Sequence, residues 1–349
     1  MADTIKRGAL IGCGFFARNH MNAWGQLDGV EIVAVCDLDA EKADGFARDF
    51  SVPHRFTDPK EMLDAVELDF VDVATTPPSH RTLVELVASY GVAVICQKPI
   101  ADTYAEAKAM VDAAAAADVP FVIHENFRWA RGMLEAKKLI DDGRIGEPKY
   151  GRFSFRHGYD NYVNQPYLAE IERFAIMDVG IHLYDVARHF LGEVERLSCE
   201  TQRLNPIVNG EDSFTALLRH ERGRVSVVDC SFFSKISPEP FPECWLWVEG
   251  DKGTVELATD FTLSLHTADG RETRNIEPTV PSWGDRPWHS VQDSVINFQA
   301  HVVEMLNGKT HPQPSGADNL KTLALALASY DAMETGQVID MAAWHDAQG

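Results

Sequence analysis

Five short apolar runs in the first third of the chain, each followed by an amphipathic stretch, set the tightest limit on its fold. The runs cover 8–11, 30–36, 70–74, 92–96 and 120–123. Val33, Val35, Val71, Val73, Val92, Val94 and Ile95 give them β-branched character. They lack polar alternation, as strands buried on both faces do. Helical spacing fills the gaps, over 17–28, 40–49, 60–66, 79–90 and 103–117. Strand and helix in alternation predict a parallel sheet with right-handed crossovers.

After Arg128 the pattern changes. A helix is expected over 132–142, and 149–157 then alternates, with Phe153 and Phe155 on one face. Strands follow at 196–201, 213–219, 224–233, 244–249, 254–257 and 262–266, separated by turns such as 250–253. A helix at 176–191 interrupts them, and helices at 295–306 and 319–334 end the chain. The expected class is α/β plus α+β: a parallel sheet over 1–124, then an open, mostly antiparallel sheet with helices over 125–349. A chain of 349 residues suits two cores.

A net charge of −21 repels phosphate backbones, so no nucleic-acid partner is expected. No apolar run approaches the ~20 residues that span a bilayer, so no membrane partner is expected either. The start shows no signal-peptide apolar region. The six cysteines form no C-x-x-C pair and no zinc spacing, so no metal is expected. They fit a reducing compartment, which places the chain in the cytoplasm.

The chemistry gathers where the apolar runs end. The first run leads into Gly12-Cys13-Gly14-Phe15-Phe16-Ala17. Glycine at 12 permits the tight turn, Gly14 lets backbone approach a pyrophosphate, and a small Ala17 lets the helix pack. Such turns also occur without a ligand, but this one follows a strand and opens a helix. Asp37, followed by Leu38, ends the second run. Its carboxylate suits adenine-ribose hydroxyls and repels a 2′-phosphate, which favours NAD over NADP. The alternative is that Asp37 caps the next helix. Thr75, Thr76, Pro77 and His80 lie in a Pro-stiffened loop facing the same crevice, and Gln97-Lys98-Pro99 ends another run. Lysine at the end of a buried strand is costly unless paired or functional.

In the 176–191 helix, Asp178, His182 and Asp185 share one face at i, i+4 and i+7. A solvated polar face is the plain alternative. Gly180 argues against it, because mid-helix glycine costs about 1 kcal/mol and marks a close approach. Arg128, Arg156, His157, Tyr159, Asn161 and Arg173 add hydrogen-bonding groups, which fit a small polyhydroxylated ligand.

Together these motifs resemble the Gfo/Idh/MocA family (glucose–fructose oxidoreductase / inositol dehydrogenase). The resemblance spans nearly the whole chain and rests on 12–17, Asp37, 75–80, Lys98-Pro99, Asn126-Phe127-Arg128, 145–148 and Asp178-x-x-x-His182. It implies a Rossmann domain, then a domain whose sheet lines the substrate site on one face and forms a dimer or tetramer interface on the other. It implies NAD as cofactor, held by Gly12, Gly14, Phe15, Phe16, Ala17, Asp37, Leu38, Thr75, Thr76, Pro77, His80, Gln97 and Lys98. It implies Lys98, Asp178 and His182 as catalytic residues, and Arg128 and His157 as substrate contacts. Arg156 and Asp185 are added as candidate contacts. The family usually has glutamate before Lys-Pro, and this chain has Gln97. With 124–129 and 165–168, Gln97 resembles the branch containing D-apiose dehydrogenases.

The expected reaction moves a hydride between a sugar or polyol carbinol and NAD, most simply from an aldose C1 to give a lactone. His182 would take the hydroxyl proton, with Asp178 orienting it and Lys98 stabilising the developing alkoxide. Two other readings keep the cofactor: a sugar sensor without catalysis, and a redox-neutral NAD-dependent glycosidase. Retention of Lys98 and His182 argues against the sensor.

Overall fold

The computed structural model describes residues 5–348. The chain forms two compact units. The first runs to Asn126 and takes in Ser294–Lys321; the second holds Phe127–Asp293 and the chain from Thr322 onward.

In the first unit the six strands are β1 (Lys6–Ile11), β2 (Val30–Cys36), β3 (His54–Phe56), β4 (Phe70–Val73), β5 (Ala93–Gln97) and β6 (Phe121–His124). They pair in the order β3-β2-β1-β4-β5-β6, all parallel. Chain order reverses between β1 and β4, where sheets of this kind bind ligands. The crossover helices are α1 (Ala17–Trp24), α2 (Ala40–Asp49), α3 (Pro59–Ala65), α4 (Pro77–Ser89) and α5 (Tyr104–Ala116). Leu10, Val35, Val71, Val94 and Ile123 are all fully buried, as continuous β-branched runs require. Asp39 caps α2, accepting from the Glu41 and Lys42 N–H groups. That settles the alternative for Asp37, which is not the cap.

The second unit carries β7 (Pro148–Arg156), β8 (Val194–Gln202), β9 (Ser213–His220), β10 (Val225–Ser231), β11 (Trp245–Gly250), β12 (Gly253–Leu257), β13 (Thr262–Thr267), β14 (Gly270–Asn275) and β15 (Ile339–Asp340). They pair in the order β14-β13-β12-β11-β7-β10-β9-β8-β15, antiparallel except for β10 on β7. Helices α6 (Arg131–Asp141) and α7 (Ile181–Leu191) belong to this unit, as does α10 (Met341–Gln348). Helices α8 (His289–Leu306) and α9 (Gly316–Thr335) are each divided between the two units.

The return of 294–321 departs from the single boundary expected near residue 124. Within the first unit, Ser294 accepts from the Asn126 amide at 2.6 Å, and Phe298 packs on His124 at 4.4 Å. Pro314 O accepts from the Ile123 N–H at 3.0 Å. A helix and strand pairing far along the chain thus complete the edge of the first sheet beside β6.

Candidate active site

The first unit shows a cradle at the switch point. Gly12 has φ +98°, and a side chain there would meet Ala74 O at 2.8 Å. Only glycine fits that turn against the β4–α4 loop. A Cβ at Gly14 would meet nothing within 4 Å, so the backbone there faces open space. No side chain caps α1 at Phe16. Its first-turn N–H groups and helix dipole suit an anion. Asp37 braces this cradle: its Oδ2 accepts from the Cys13 N–H at 2.7 Å and its Oδ1 from the Asp39 N–H at 2.9 Å. Beside it Leu38 is 89% exposed, and Phe15 is also exposed. Ala17 is buried under the sheet.

Across the switch point, Thr75 Oγ1 accepts from Ser79 Oγ at 2.7 Å, and no side chain caps α4 at Thr76. Pro77 opens that helix. His80, expected at the cofactor, turns inward. It is fully buried, and its ring nitrogens lie 3.1 Å from the Thr75 and Ile100 carbonyl oxygens. Burial lowers its pKa, so the neutral ring braces the loop from behind. Gln97 turns inward too. Its Oε1 takes the Lys98 N–H at 2.7 Å and its Nε2 meets His20 at 3.1 Å. Lys98 follows at the carboxyl end of β5, half-buried.

The second unit presents a helix face. Residues Ile176–Gly180 form a π-helical turn that runs into α7, a wider coil common at functional sites. Buried Glu211 accepts from the Phe174 and Ile176 N–H groups at 3.2 and 3.0 Å and from Tyr330 Oη at 2.7 Å. It fastens the start of this helix. A Cβ at Gly180 would meet the Phe214 ring at 2.8 Å, which is the close approach its sequence position implied. Asp178 is half-exposed, while His182 is buried with the Phe127 ring stacked on it at 3.9 Å and 4°.

Arg128 and Asp185 meet each other. Arg128 Nε and Nη2 donate to the two Asp185 oxygens at 2.7 and 2.5 Å, and Asp185 is fully buried. A bidentate pair of this kind locks the 127–129 turn onto α7, beside the ring that covers His182. Both were expected at the substrate, and the structure brings them together as an ion pair.

His157 sits in an aromatic cage, its ring 4.7 to 5.0 Å from those of Phe155, Phe232 and Phe241. It is 1% exposed and neither nitrogen has a hydrogen-bond partner. Burial pushes its pKa down to about 4. Arg156, expected at the substrate, turns the other way. Strand alternation sends it to the opposite face from Phe155 and His157, and it pairs with buried Asp229 at 3.2 Å. That face also carries Arg152, Ser154, Leu217, Val227 and Trp247, in register across β7, β9, β10 and β11.

Sequence reading missed His20, Asp72 and Glu211. Asp72 gave a signal: a carboxylate inside a buried apolar run demands partners. Among the described residues no cluster could hold a metal ion, and no helix is long and apolar enough to cross a membrane.

Comparison with known proteins places this architecture. A family model described as an oxidoreductase family with an NAD-binding Rossmann fold matches residues 6–125, and the GFO/IDH/MocA C-terminal domain matches 133–256. The chain belongs to the Gfo/Idh/MocA family. It is 48% identical over 340 residues to a D-apiose dehydrogenase of Paraburkholderia graminis, covering 97% of this chain and 91% of that one. It is 44% identical to a D-apiose dehydrogenase of Rhizobium rhizogenes, covering 98% and 99%. A crystal structure of an oxidoreductase from Agrobacterium radiobacter, in complex with NAD+, L-tartaric acid and magnesium, superposes with a TM-score of 0.95 at 44% identity, covering 97% and 99%. This Gfo/Idh/MocA chain is an NAD-dependent oxidoreductase, and NAD is its cofactor. The cradle fits that molecule: open backbone at Gly14 and an uncapped helix end for the pyrophosphate, and Asp37 for a ribose without a 2′-phosphate.

Proposed function

We propose that this enzyme oxidises D-apiose, a branched aldose, at its anomeric carbon to the lactone. Full-length identity of 44–48% to two D-apiose dehydrogenases carries the reading. Lys98, Asp178 and His182 are all present to support it. Oxidation takes the anomeric C–H hydrogen with its bonding pair and the hydroxyl hydrogen as a proton. NAD supplies the hydride acceptor when bound. The residues of the chain handle the proton and the charge.

His182 is assigned as proton acceptor, since imidazole titrates in the working range. The stacked Phe127 ring fixes its plane. Asp178, the half-exposed carboxylate one helical turn earlier, is assigned to orient His182 or take a hydroxyl hydrogen bond. Lys98 is assigned to stabilise the developing alkoxide. His157 is assigned a sugar hydroxyl, because two unpartnered ring nitrogens need a hydrogen-bonding ligand or water.

We also assign the first unit to cofactor and the second to substrate, and place the protein in the cytoplasm. Its outer sheet face forms a homodimer or homotetramer contact in this reading. The row Leu217, Val227, Arg152 and Trp247 supports it, with Leu217 51% exposed.

The test is NADH absorbance at mildly alkaline pH with NAD or NADP and a panel of D-apiose, other aldoses, inositols and sugar acids. D-Apiose with NAD should give the highest kcat/KM. Lys98→Met should lower kcat by orders of magnitude while NAD still binds. Silence with every sugar, with NAD bound, would overturn the reading in favour of a sensor or a redox-neutral glycosidase. Light scattering of the purified chain and of Trp247→Glu tests the assembly.

A further inference from the structure

The hydrogen bonds around Gln97 have one fixed point. The Lys98 backbone N–H can only donate, and it lies 2.7 Å from Gln97 Oε1. That sets which end of the amide is oxygen. The amide nitrogen then faces His20 Nε2 at 3.1 Å. An amide nitrogen only donates, so His20 Nε2 accepts. The ring proton therefore sits on Nδ1, which donates to Asp72 Oδ2 at 2.9 Å. Trp24 Nε1–H donates to the same oxygen at 2.8 Å. His20 and Asp72 are fully buried. The His20 carbonyl accepts from Gln299 at 3.2 Å, and its ring stacks on His124 at 3.9 Å.

We propose that Asp72, His20 and Gln97 form a positioning relay for Lys98, and that glutamine at 97 lets the relay close on a neutral imidazole. The Asp72 carboxylate fixes the tautomer of His20. His20 holds the Gln97 amide, and that amide holds the backbone from which Lys98 projects. The functional half of this proposal rests on the reading of Lys98 as a catalytic residue. The relay ties three neighbouring elements, β4, α1 and β5, at the switch point of the sheet.

Glutamate has the length of glutamine and would still take the Lys98 N–H. It has no proton to offer His20 Nε2. In Gln97→Glu the ring can serve the new carboxylate and Asp72 together only while it carries both protons; once neutral it must give up one of them, so support for Lys98 becomes pH-dependent. The titratable groups at His20 and its partners are Asp72 on β4, His124 on β6 and the buried Cys96 thiol on β5 near Asp72, with Lys98 joined through the Gln97 amide. Trp24 on α1 and Gln299 on α8 are neutral. Burial raises the Cys96 thiol well above its usual range, so it stays protonated.

The experiment is 15N NMR of the full-length, histidine-labelled chain over about pH 6 to 9, with His20 assigned by loss of its signals in His20→Gln. The neutral His20 ring of the wild type should carry its proton on Nδ1. Gln97→Glu should show a doubly protonated ring at neutral pH. Its kcat should carry an extra ionisation, falling roughly tenfold on the alkaline side. Gln97→Met should lose roughly ten- to a hundredfold in kcat at every pH, with the sugar KM little changed. A wild-type ring protonated on Nε2 would overturn the relay, as would a Gln97→Glu profile that overlays the wild type. Full kcat in Gln97→Met would remove its positioning role. If instead Lys98→Met retains turnover, the catalytic assignment of Lys98 fails while the tautomer measurement still decides the relay by itself.

Discussion

Acid should destabilise this chain through His157, and an apolar residue in its place should remove the effect. The imidazole lies among three phenylalanine rings with neither nitrogen partnered. Burial brings its pKa down from 6.5 to about 4. The folded chain therefore binds this proton more weakly than the unfolded chain does. Stability from this site is fully present above pH 6.5 and is lost as the pH falls toward 4. The loss is about 1.4 kcal/mol per pH unit and reaches about 3 kcal/mol at pH 4. In a unit of this size each kcal/mol moves Tm by about 2–4 °C, so the full effect is about 6–12 °C.

Carboxylates titrate in the same window, so the informative quantity is the difference between wild type and variant. Thermal unfolding followed by circular dichroism at about pH 7.5 and 4.5 gives it. His157→Phe and His157→Leu should match or exceed wild type at the higher pH, because they remove two buried unpaired nitrogens. Their advantage should widen by several degrees at the lower pH. Two variants guard against overpacking by the larger ring. Equal acid sensitivity in all three proteins would refute the reasoning, and so would an NMR titration of His157 near pH 6.5. The same variants should raise the sugar KM, since a hydroxyl loses its partner.

Arg128→Met should cost about 3–5 kcal/mol in urea unfolding, because it removes the bidentate guanidinium from the buried Asp185 carboxylate. Arg128→Met with Asp185→Leu should recover most of that loss; a double variant no better than the single would exclude the ion pair as cause. Gly180→Ala should lower stability by about 1–3 kcal/mol despite better helix propensity, since its Cβ would press the Phe214 ring, and Phe214→Leu should rescue it. A more stable Gly180→Ala would refute that contact. Asp37→Ala should weaken NAD binding tenfold or more by calorimetry, as the Gly12–Gly14 turn loses its brace at Cys13. An unchanged Kd would sink that role.

Much of the fold was legible because burial leaves a compositional mark. The strands β1, β2, β4, β5 and β6 are buried on both faces and read as apolar runs. β3 escaped notice, having three residues and two of them exposed. β14 escaped because Gly270–Asn275 is exposed throughout and charged, as edge strands are. The π-helical turn leaves no periodic signature at five residues. The place of 294–321 depends on packing against β6, which no local pattern encodes.

The site divides in the same way. The turn at Gly12 and Gly14, the place of Asp37 after β2 and the shared helix of Asp178 and His182 were legible because backbone space, position after a strand and helical spacing are all written locally. Arg156 was misplaced although its parity was readable: with Phe153 and Phe155 facing inward, residue 156 must face outward. Sequence put His80 and Gln97 in the right loops but could not say which way they turn. Their direction depends on Ile100, His20 and Asp72, whose nearness follows only from the pairing of strands.

A helix sealed on nearly every side must account for each polar group it carries, and that accounting marks its working face. From Phe174 to Leu191 only Asp178 and His189 escape full burial. Asp185 is neutralised by Arg128, and Arg188 by Glu193 and Thr322 at 2.7 to 3.0 Å. The helix start is held by Glu211. These partners hold the backbone rigid, and sites on rigid elements keep reacting groups in place better than loops do. On the same helix the face of the Phe127 ring stacks on His182 at 3.9 Å. An aromatic face can fix the plane of an imidazole without competing for its proton. In the proposed reaction this stacked ring supports His182 as the proton acceptor, with Asp178, one helical turn earlier, as the carboxylate assigned beside it.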